Sequence, residues 1–306
     1  MVSNKILITG ANGFIGSRCV AYSKSNNIAY TSVSRADLND DNSIKFNLEK
    51  QNLEELILDD IGTIIHTIGI AHDTSSQNSK KISLYKKINV NLTVNLAKHA
   101  LNCGVKKFIY ISSIKASGEP QNGKCHAENY IGPFSNIYGE TKRETELKLL
   151  DLLKGEDLDL CIIRPSLVYG PNVKGNLKLM LNLINKGIFP PLPNVNNKRS
   201  MIHVDDLVSA IFLFLKRNSR GEIFNATDNI VYSSRSIYES LSYAQNIEPA
   251  SWSIPKIIFD ILGLILPSFK IKSSVLFNDS NYDSRKLNEI GFSPKLTLSD
   301  IHKSLF

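Results

Sequence analysis

The chain has 306 residues, a length that fits one large domain, or a large domain with a small annex. With 42% hydrophobic and 21% charged residues, it is too apolar for a disordered, collagen-like or coiled-coil protein. The 36 basic and 29 acidic residues give a net charge of +7, which is compatible with an anionic ligand. The lysines and arginines are scattered and form no long run, so the sequence argues against nucleic-acid binding.

Four cysteines, Cys19, Cys103, Cys125 and Cys161, lie far apart in the sequence. Since no pair has the short spacing of a zinc site or a redox dithiol, we expect free thiols and no metal site. The N-terminus enters an apolar run directly, without the basic start and cleavage site of a signal peptide. Together these features predict a cytoplasmic protein.

Strand-like apolar runs alternate with helix-length segments through the first half of the chain. The predicted strands cover residues 5–9, 29–34, 63–68, 108–112 and 160–163, and the predicted helices cover residues 14–25, 53–58, 88–102 and 136–153. This alternation is typical of βαβ units and predicts an α/β fold with a parallel sheet.

The sequence changes character after Pro165, because prolines then cluster at positions 171, 190, 191 and 193. We expect a smaller annex to begin there. The longest apolar run, residues 254–269, contains Lys256 and Asp260 and is shorter than the roughly 20 residues that cross a bilayer. It predicts a buried or half-buried helix rather than an integral membrane segment, with contact at a membrane surface left open.

The turn after the first predicted strand carries three regularly spaced glycines in the string Thr9-Gly10-Ala11-Asn12-Gly13-Phe14-Ile15-Gly16. Gly10 permits a tight turn, Gly13 lets a pyrophosphate approach the helix N-terminus, and Gly16 lets the helix pack closely on the strand. The strand–turn–helix context predicts dinucleotide binding rather than a loop without a ligand. We therefore predict a Rossmann-type doubly wound parallel sheet with a smaller C-terminal α/β annex. Residues 1–165 would form the NAD(P)-binding domain, and residues 166–306 mainly a substrate-binding region, with some segments returning to the sheet.

The end of the second strand decides between the two nicotinamide cofactors. A carboxylate there accepts the ribose 2′-hydroxyl of NAD(H), whereas an arginine accommodates the 2′-phosphate of NADP(H). Ser34 and Arg35 occupy this place and favour NADP(H), but Asp37 lies two residues further on and keeps NAD(H) open.

Tyr138 and Lys142 are four residues apart at the start of a predicted helix, so they lie on one helix face. A phenol with a pKa near 10 is a poor base at neutral pH, and a nearby cation stabilises the phenolate. Lowering that pKa by about 3 units takes about 4 kcal/mol. Ser113 follows a predicted strand and could hydrogen-bond the substrate oxygen. We predict Ser113, Tyr138 and Lys142 as the catalytic group.

These motifs resemble the extended short-chain dehydrogenase/reductase family, specifically its NAD-dependent epimerases, dehydratases and reductases of nucleotide sugars. The matching segments follow the family order over almost the whole chain, at residues 9–16, 66–69, 89–90, 111–113, 138–142, 164–165, 168–171 and 199–207.

The resemblance implies Ser113 and Tyr138 as the proton-handling pair and Lys142 as a ligand of the nicotinamide ribose. It also implies cofactor contacts beyond the glycine loop at Asn47, Ile68, Gly69, Asn89 and Pro165. The implied substrate is a UDP-sugar, with Arg199 on its diphosphate. Its other implied contacts are Ser113, Lys115, Lys174 and Asn176. A homodimer is compatible with the sequence.

One departure from the family pattern narrows the expected chemistry. The 4,6-dehydratases of the family place an Asp-Glu pair directly after the catalytic hydroxyl residue, but this chain has Ile114 and Lys115, which cannot do that acid–base work. Residues 112–119 and 170–176 resemble the branch that contains bacterial UDP-N-acetylquinovosamine dehydrogenases. The expected activity is therefore NAD(P)H-dependent reduction of a UDP-4-keto-6-deoxy-N-acetylhexosamine at carbon 4, in surface-polysaccharide synthesis.

Two alternatives remain open. A UDP-glucose or UDP-N-acetylglucosamine 4-epimerase with tightly bound NAD would use Ser113, Tyr138 and Lys142 in the same way. The second is a non-catalytic dinucleotide-binding interaction protein. In such a protein we would expect Ser113, Tyr138 and Lys142 to be replaced, but all three are present.

Other histidines and carboxylates that resemble catalytic or metal-binding residues are expected to have structural roles. His66 and His203 stand beside apolar residues and are expected to be structural histidines. Asp205 and Asp206 open a predicted helix, where carboxylates meet the helix dipole favourably, so they require no metal.

Overall fold

The computed structural model describes residues 4–71, 79–265, 273–274 and 276–300. Its strands, in chain order, are β1 (Lys5–Thr9), β2 (Tyr30–Ser34), β3 (Ser43–Lys45), β4 (Ile61–His66), β5 (Lys107–Ile111), β6 (Asp159–Pro165), β7 (Leu167–Tyr169), β8 (Arg199–His203), β9 (Ile223–Ala226) and β10 (Val231–Tyr232). A seven-stranded sheet has the order β3-β2-β1-β4-β5-β6-β9, and all its neighbouring strands are parallel. The predicted Rossmann-type α/β fold is confirmed.

The helices are α1 (Phe14–Ser25), α2 (Ser79–Tyr85), α3 (Thr93–Asn102), α4 (Ile137–Leu152), α5 (Gly175–Asn185), α6 (Val204–Leu213), α7 (Ser234–Ala244), α8 (Lys256–Ile265) and α9 (Arg285–Glu289). A π-helical segment, Lys86–Leu92, joins α2 to α3 without a break. Short 3-10 turns occupy Leu53–Glu55, Ile114–Ser117, Phe214–Lys216 and Leu298–Asp300.

Both faces of the large sheet are covered by helices. Successive side chains of a strand point to opposite faces, and β1 shows this directly. Ile6 and Ile8 pack in a buried cluster with residues of α1 and α6, whereas Leu7 packs in a second cluster with residues of α3 and α4. This two-sided burial explains why the strands are almost continuously apolar, as in other doubly wound sheets.

A second, three-stranded sheet of order β10-β8-β7 lies in the C-terminal half of the chain. β7 is parallel to β8, and β10 is antiparallel to it. A third hydrophobic cluster joins these strands to α5, α7 and α8. β9, which follows this sheet's β8 in the chain, instead pairs with β6 at the edge of the large sheet.

Two predicted helices are corrected by the structure. Residues 53–58 form only the 3-10 turn Leu53–Glu55, because the backbone becomes extended at Leu56, which carries its side chain into the core. Residues 88–102 are helical, but their first part belongs to the π-helical segment, and the α-helix begins only at Thr93.

The predicted helix at residues 254–269 is present as α8, and it is buried along one side rather than all round. Only Phe259 and Gly263 of α8 are buried, and its other eight residues are exposed. Residues 266–269 lie outside the described part of the chain. No helix within the described residues is long and apolar enough to cross a membrane.

Candidate functional site

The glycine loop forms a tight turn between β1 and α1. Gly10 has a φ of +76°, a conformation that strongly favours glycine, and its carbonyl accepts a 2.8 Å hydrogen bond from the Gly13 N–H. A Cβ on Gly16 would lie 2.2 Å from the Gly10 oxygen, so α1 can approach the turn only with a glycine there. The predicted roles of Gly10 and Gly16 are thus visible in the backbone.

This turn is shaped for a diphosphate. Helix α1 begins at Phe14 with Gly13 as its N-cap, and no side chain caps it. Asn12 is exposed, and Phe14 and Ile15 are half-buried at the same end. The first N–H groups of a helix have no partners within the helix and attract anions. The loop residues therefore fit a dinucleotide, whose pyrophosphate they would hold.

Beyond the loop, the side chains at the ends of β2 and β3 are exposed or half-buried. Arg35 is 68% exposed in its side chain and lies 3.3 Å from the Glu49 carboxylate. Asp37 is exposed and accepts a hydrogen bond from the Asn39 backbone. Asn47, also expected to contact the cofactor, accepts a 3.0 Å hydrogen bond from the Glu49 backbone. Arg35 is accessible to a phosphate, but Glu49 competes for its charge.

Lys142 ties α4 to the end of β5. Its Nζ donates a 2.8 Å hydrogen bond to the Ile111 carbonyl and lies 4.6 Å from the centre of the Tyr110 ring. A Cβ on Gly69, just beyond β4, would lie 3.1 Å from the same Nζ. Lys142 therefore stands where the carboxyl ends of β4 and β5 meet, which is where ligands bind in open parallel sheets.

Burial shifts the pKa values of both catalytic candidates on α4. It lowers the pKa of Lys142 to about 7, and the neighbouring Glu146 carboxylate opposes this shift. It raises the pKa of Tyr138, while hydrogen bonding with the Ser113 side chain acts in the opposite direction. The expected lowering of the Tyr138 pKa is therefore not achieved by these side chains alone, and the phenol is protonated at neutral pH.

Ser113 follows β5 at the level of Lys142. It is 9% exposed, and its Oγ accepts a 3.2 Å hydrogen bond from the Lys115 N–H, so it caps the turn Ile114–Ser117. The Lys115 ammonium is engaged by Glu119 at 3.2 Å. Ser113 thus lies at the end of β5, close to the Tyr138 and Lys142 candidates, and the charge of Lys115 is already paired.

Asn89 lies in the π-helical segment between α2 and α3. Its Oδ1 accepts a 2.8 Å hydrogen bond from the Ile70 N–H, and its Nδ2 donates to the Ile70 carbonyl and to Thr141 Oγ1. These bonds tie the loop after β4 to α4. Because π-helical turns are often found at functional sites, this one is a structural signal for the predicted cofactor contact at Asn89.

The sequence did not predict a buried ionic network that packs behind the candidate catalytic residues. Arg164 and Glu146 form a two-pronged pair at 2.6 and 2.8 Å, and both side chains are fully buried. Ser112 donates to Glu146 at 2.6 Å, and Arg164 donates to Ser117 and to the Glu128 carbonyl. The network joins α4, β6 and the end of β5, and so fixes the helix that carries Tyr138 and Lys142.

The structural roles predicted for the histidines agree with their contacts. His66 Nδ1 lies 2.7 Å from Thr9 Oγ1 and His66 Nε2 lies 3.0 Å from Thr93 Oγ1, and burial lowers its pKa to about 3. His203 is buried, and its Nδ1 accepts a hydrogen bond from the Asp205 N–H. Asp205 pairs with Arg18 at 2.6 Å. Among the described residues, no group of three potential ligands could hold a metal ion.

The model of the NAD dependent epimerase/dehydratase family matches residues 6–227 of the chain. The chain belongs to this family. It is 33% identical over 259 residues to a UDP-glucose 4-epimerase of Vibrio cholerae, covering 82% of this chain and 78% of that protein. It is 26% identical to an N-acetyl-α-D-glucosaminyl-diphospho-ditrans,octacis-undecaprenol 4-epimerase of Escherichia coli O157:H7, covering 97% of this chain and 93% of the relative.

Solved structures with the same fold include two 4-epimerases. A UDP-glucose 4-epimerase of Thermotoga maritima, solved with UDP-glucose, has a TM-score of 0.78 at 22% identity, with 97% of this chain and 95% of that chain covered. A UDP-glucuronic acid 4-epimerase of Bacillus cereus, solved with UDP-glucuronic acid and NAD, has the same TM-score and identity, with 97% and 96% covered. These likenesses show the fold.

Membership in the NAD dependent epimerase/dehydratase family confirms that the protein is an enzyme and that its cofactor is a nicotinamide dinucleotide. The family description names NAD. The preference for NADP(H) drawn from Arg35 stays a prediction. Pro165, another expected cofactor contact, is buried at the end of β6 beside the Arg164 network, and Ile68 packs against the large-sheet core.

We expect Arg35→Asp to weaken NADPH binding by roughly 10- to 100-fold, because a charge-assisted contact worth about 1.5–3 kcal/mol is replaced by repulsion. NADH binding should be kept or improved, since a carboxylate can accept a ribose hydroxyl. Fluorescence titration of both cofactors against the parent and the variant measures this, with exposed Lys178→Asp on α5 as the charge-matched control. A parent that already binds NAD(H) much more tightly than NADP(H) would contradict the assignment of Arg35.

The other expected substrate contacts, besides Ser113 and Lys115, lie in two places of the C-terminal half. Lys174 precedes α5 as its N-cap and Asn176 lies in its first turn, and both are exposed. Arg199 begins β8, is half-buried, and donates from Nη1 to the Asn278 carbonyl at 3.4 Å. Burial lowers the pKa of Arg199, and Asp279 opposes this shift.

Proposed function

We propose that this protein transfers a hydride at carbon 4 of a UDP-linked hexose derivative, as a 4-keto reductase. The observation that carries the proposal is the placement of the half-buried Tyr138 beside Ser113, on a helix that Lys142 anchors at the end of β5; burial of the phenol raises its pKa, which favours the protonated form. A protonated phenol is the acid that reduction of a ketone requires. We also propose that residues 1–165 hold the dinucleotide and that residues 166–306 mainly hold the sugar nucleotide.

Each catalytic side chain has a defined task in this reaction. When bound, the reduced nicotinamide supplies the hydride that carbon 4 receives. Tyr138 donates its proton to the oxygen on carbon 4, which becomes a hydroxyl. Ser113 hydrogen-bonds the same oxygen and aligns it with the phenol. Lys142 holds α4 through the Ile111 carbonyl, and its ammonium favours the phenolate that proton donation leaves behind.

The residues after Ser113 do not suit a dehydration at carbons 5 and 6 of the sugar. Ile114 is 5% exposed and aliphatic, and the Lys115 cation is paired with Glu119. Neither residue can remove or add a proton in the way that elimination requires. Hydride transfer confined to carbon 4 remains the chemistry that these side chains support.

The relatives support a second candidate function. The Vibrio cholerae protein and the Escherichia coli O157:H7 protein are both named as 4-epimerases. In an epimerase, the 4-keto sugar would turn within the site and be reduced on its other face. Tyr138 would then first accept and later return the proton, so the same three residues serve both reactions.

One experiment separates the two candidates. The purified protein is incubated with UDP-glucose or UDP-N-acetylglucosamine without added cofactor, and separately with a UDP-4-keto-6-deoxy-N-acetylhexosamine and NADPH or NADH. A reductase consumes the reduced cofactor and the keto sugar stoichiometrically and leaves the first two sugars unchanged. An epimerase converts UDP-glucose or UDP-N-acetylglucosamine to its carbon-4 epimer without net oxidation. Inactivity in both arms would contradict hydride transfer at carbon 4 of these sugars.

Arg199 offers a test of the nucleotide part of the substrate. We expect Arg199→Ala to raise KM by roughly 10- to 100-fold with a smaller effect on kcat, because a diphosphate contact worth about 1.5–3 kcal/mol lies far from the reacting carbon. Arg199→Lys should recover part of the loss, since it restores the charge without the planar fork. The neighbouring exposed Lys198→Ala is the control. Equal affinity for UDP in the parent and Arg199→Ala would remove Arg199 from the site.

A further inference from the structure

Helix α8 carries an uncovered row of aliphatic side chains, which we call the apolar face. Its members are exposed by 37–80%: Ile257, Ile258, Ile261, Leu262, Leu264 and Ile265. Contiguous apolar patches on a protein surface usually mark an interaction site. The helix has ten residues, so the face is a short strip.

The exposed and buried positions separate cleanly around the helix axis. With about 100° between successive residues, the apolar face spans an arc of about 160°, from Leu264 to Leu262. Phe259 and Gly263 lie on the opposite side and are buried, and the Phe259 ring packs edge-on against Phe277 at 5.1 Å. The buried side therefore fixes the helix to the annex and turns the apolar face outward.

The width of this arc distinguishes a bilayer from another helix as the covering partner. Two helices that pack in a seam cover a narrow stripe, close to the two-per-heptad pattern of a coiled coil. A seam of that kind would leave the edges of a 160° arc in water. A helix lying in the headgroup region of a membrane instead has its whole apolar side covered by acyl chains.

The sequence that contains α8 is basic, which suits an anionic surface. Lys256 and Asp260 form a pair at 3.0 Å on the flank of α8, between its apolar and buried sides. In the sequence, Lys270 and Lys272 follow the helix, so residues 252–272 carry three lysines against one aspartate, in a chain of net charge +7. Basic residues beside an apolar helix face strengthen binding to anionic lipids.

Trp252 adds an aromatic residue at the entry to the helix. It is 62% exposed and precedes α8 by four residues. Tryptophan is enriched where protein meets the membrane–water interface, because its ring is apolar and its N–H is polar. It is also the only tryptophan of the chain, so its fluorescence reports on this region alone.

We propose that the apolar face of α8 inserts into the headgroup–acyl boundary of a bilayer that contains anionic phospholipids. The contact is peripheral and places the enzyme at a membrane surface, and the candidate catalytic residues Ser113 and Lys142 are not part of the contact, since they lie at the end of β5. The proposal does not depend on which sugar the enzyme uses.

Vesicle flotation of the full chain tests this proposal, with phosphatidylcholine vesicles and with vesicles that also contain phosphatidylglycerol. The test variant is Ile261→Asp/Leu264→Asp, two exposed positions in the middle and near the end of the apolar face. The control is Ile57→Asp, whose side chain is 73% exposed and lies outside the annex. Circular dichroism and cofactor titration confirm that each variant is folded.

We expect the parent and Ile57→Asp to float with the anionic vesicles and Trp252 emission to shift to shorter wavelength. The double variant should bind the anionic vesicles at least roughly tenfold more weakly than the parent, because two charges would enter the acyl region. The proposal is overturned if the parent stays in the aqueous fraction or if the double variant partitions like the parent. A dimer of the parent that the double variant converts to a monomer in light scattering would assign the face to a second copy instead. Equal binding to neutral vesicles would contradict the role of the anionic lipid.

Discussion

Tyr138→Phe should lower kcat for the carbon-4 reaction by about 10²–10⁴-fold, the usual contribution of a general acid or base. The phenol is held at the start of α4, and burial raises its pKa, so at neutral pH it carries the proton that the proposed reduction gives to the substrate oxygen. Phenylalanine keeps the ring and removes that proton. Cofactor binding should be largely kept, because the variant leaves the glycine loop, Asn89 and Lys142 in place.

Steady-state turnover and a separate cofactor titration measure the two parts of this result. The matched control is Tyr243→Phe, the same chemical change at a side chain that is 58% exposed on α7. A Tyr138→Phe enzyme with near-parent turnover would remove Tyr138 from the mechanism. Loss of cofactor binding in the same proportion as turnover would mean that the phenol acts through the dinucleotide site rather than on the substrate.

Short sequence patterns predicted much of the local geometry of the candidate site, because its parts are local. Gly10 and Gly16 act on one turn, and the close approach of Gly16 to the Gly10 carbonyl is a requirement of that turn. Tyr138 and Lys142 are one helical turn apart, and their helix was predicted to cover residues 136–153 where α4 covers Ile137–Leu152. At such positions the residue types alone are enough to predict the local geometry.

The features that the sequence did not predict depend on packing between distant segments. The exposure of α8 could not be read from its apolar run, because an apolar helix normally requires a covering layer and only the fold shows which side receives one. The 3-10 turn Leu53–Glu55 is short because Leu56 must enter the core, which the spacing of leucines did not reveal. The pairing of Arg164 with Glu146 joins a strand to a helix and follows no short motif.

We expect the largest effect on stability from breaking the buried pair of Arg164 and Glu146. Glu146→Leu should lower the free energy of unfolding by about 3–5 kcal/mol, because it leaves the Arg164 guanidinium charged and unpaired in the interior. Both side chains are fully buried, and Glu146 also accepts a hydrogen bond from Ser112. Urea unfolding followed by circular dichroism measures the change. The control is Glu144→Leu, which removes a half-exposed carboxylate paired with Lys148 at 2.8 Å.

The control should change stability by about 1 kcal/mol or less, because exposed ion pairs contribute little. In the double variant Glu146→Leu/Arg164→Met, part of the lost stability should return, since an apolar pair leaves no buried charge. Recovery would be incomplete, because Arg164 also donates to Ser117 and to the Glu128 carbonyl, and these acceptors would lose their partner. A Glu146→Leu protein as stable as Glu144→Leu would show that water or another group satisfies Arg164. In that case the network does not fix α4, and the placement of Tyr138 and Lys142 must come from the Lys142 bond to Ile111 and the Asn89 bond to Thr141.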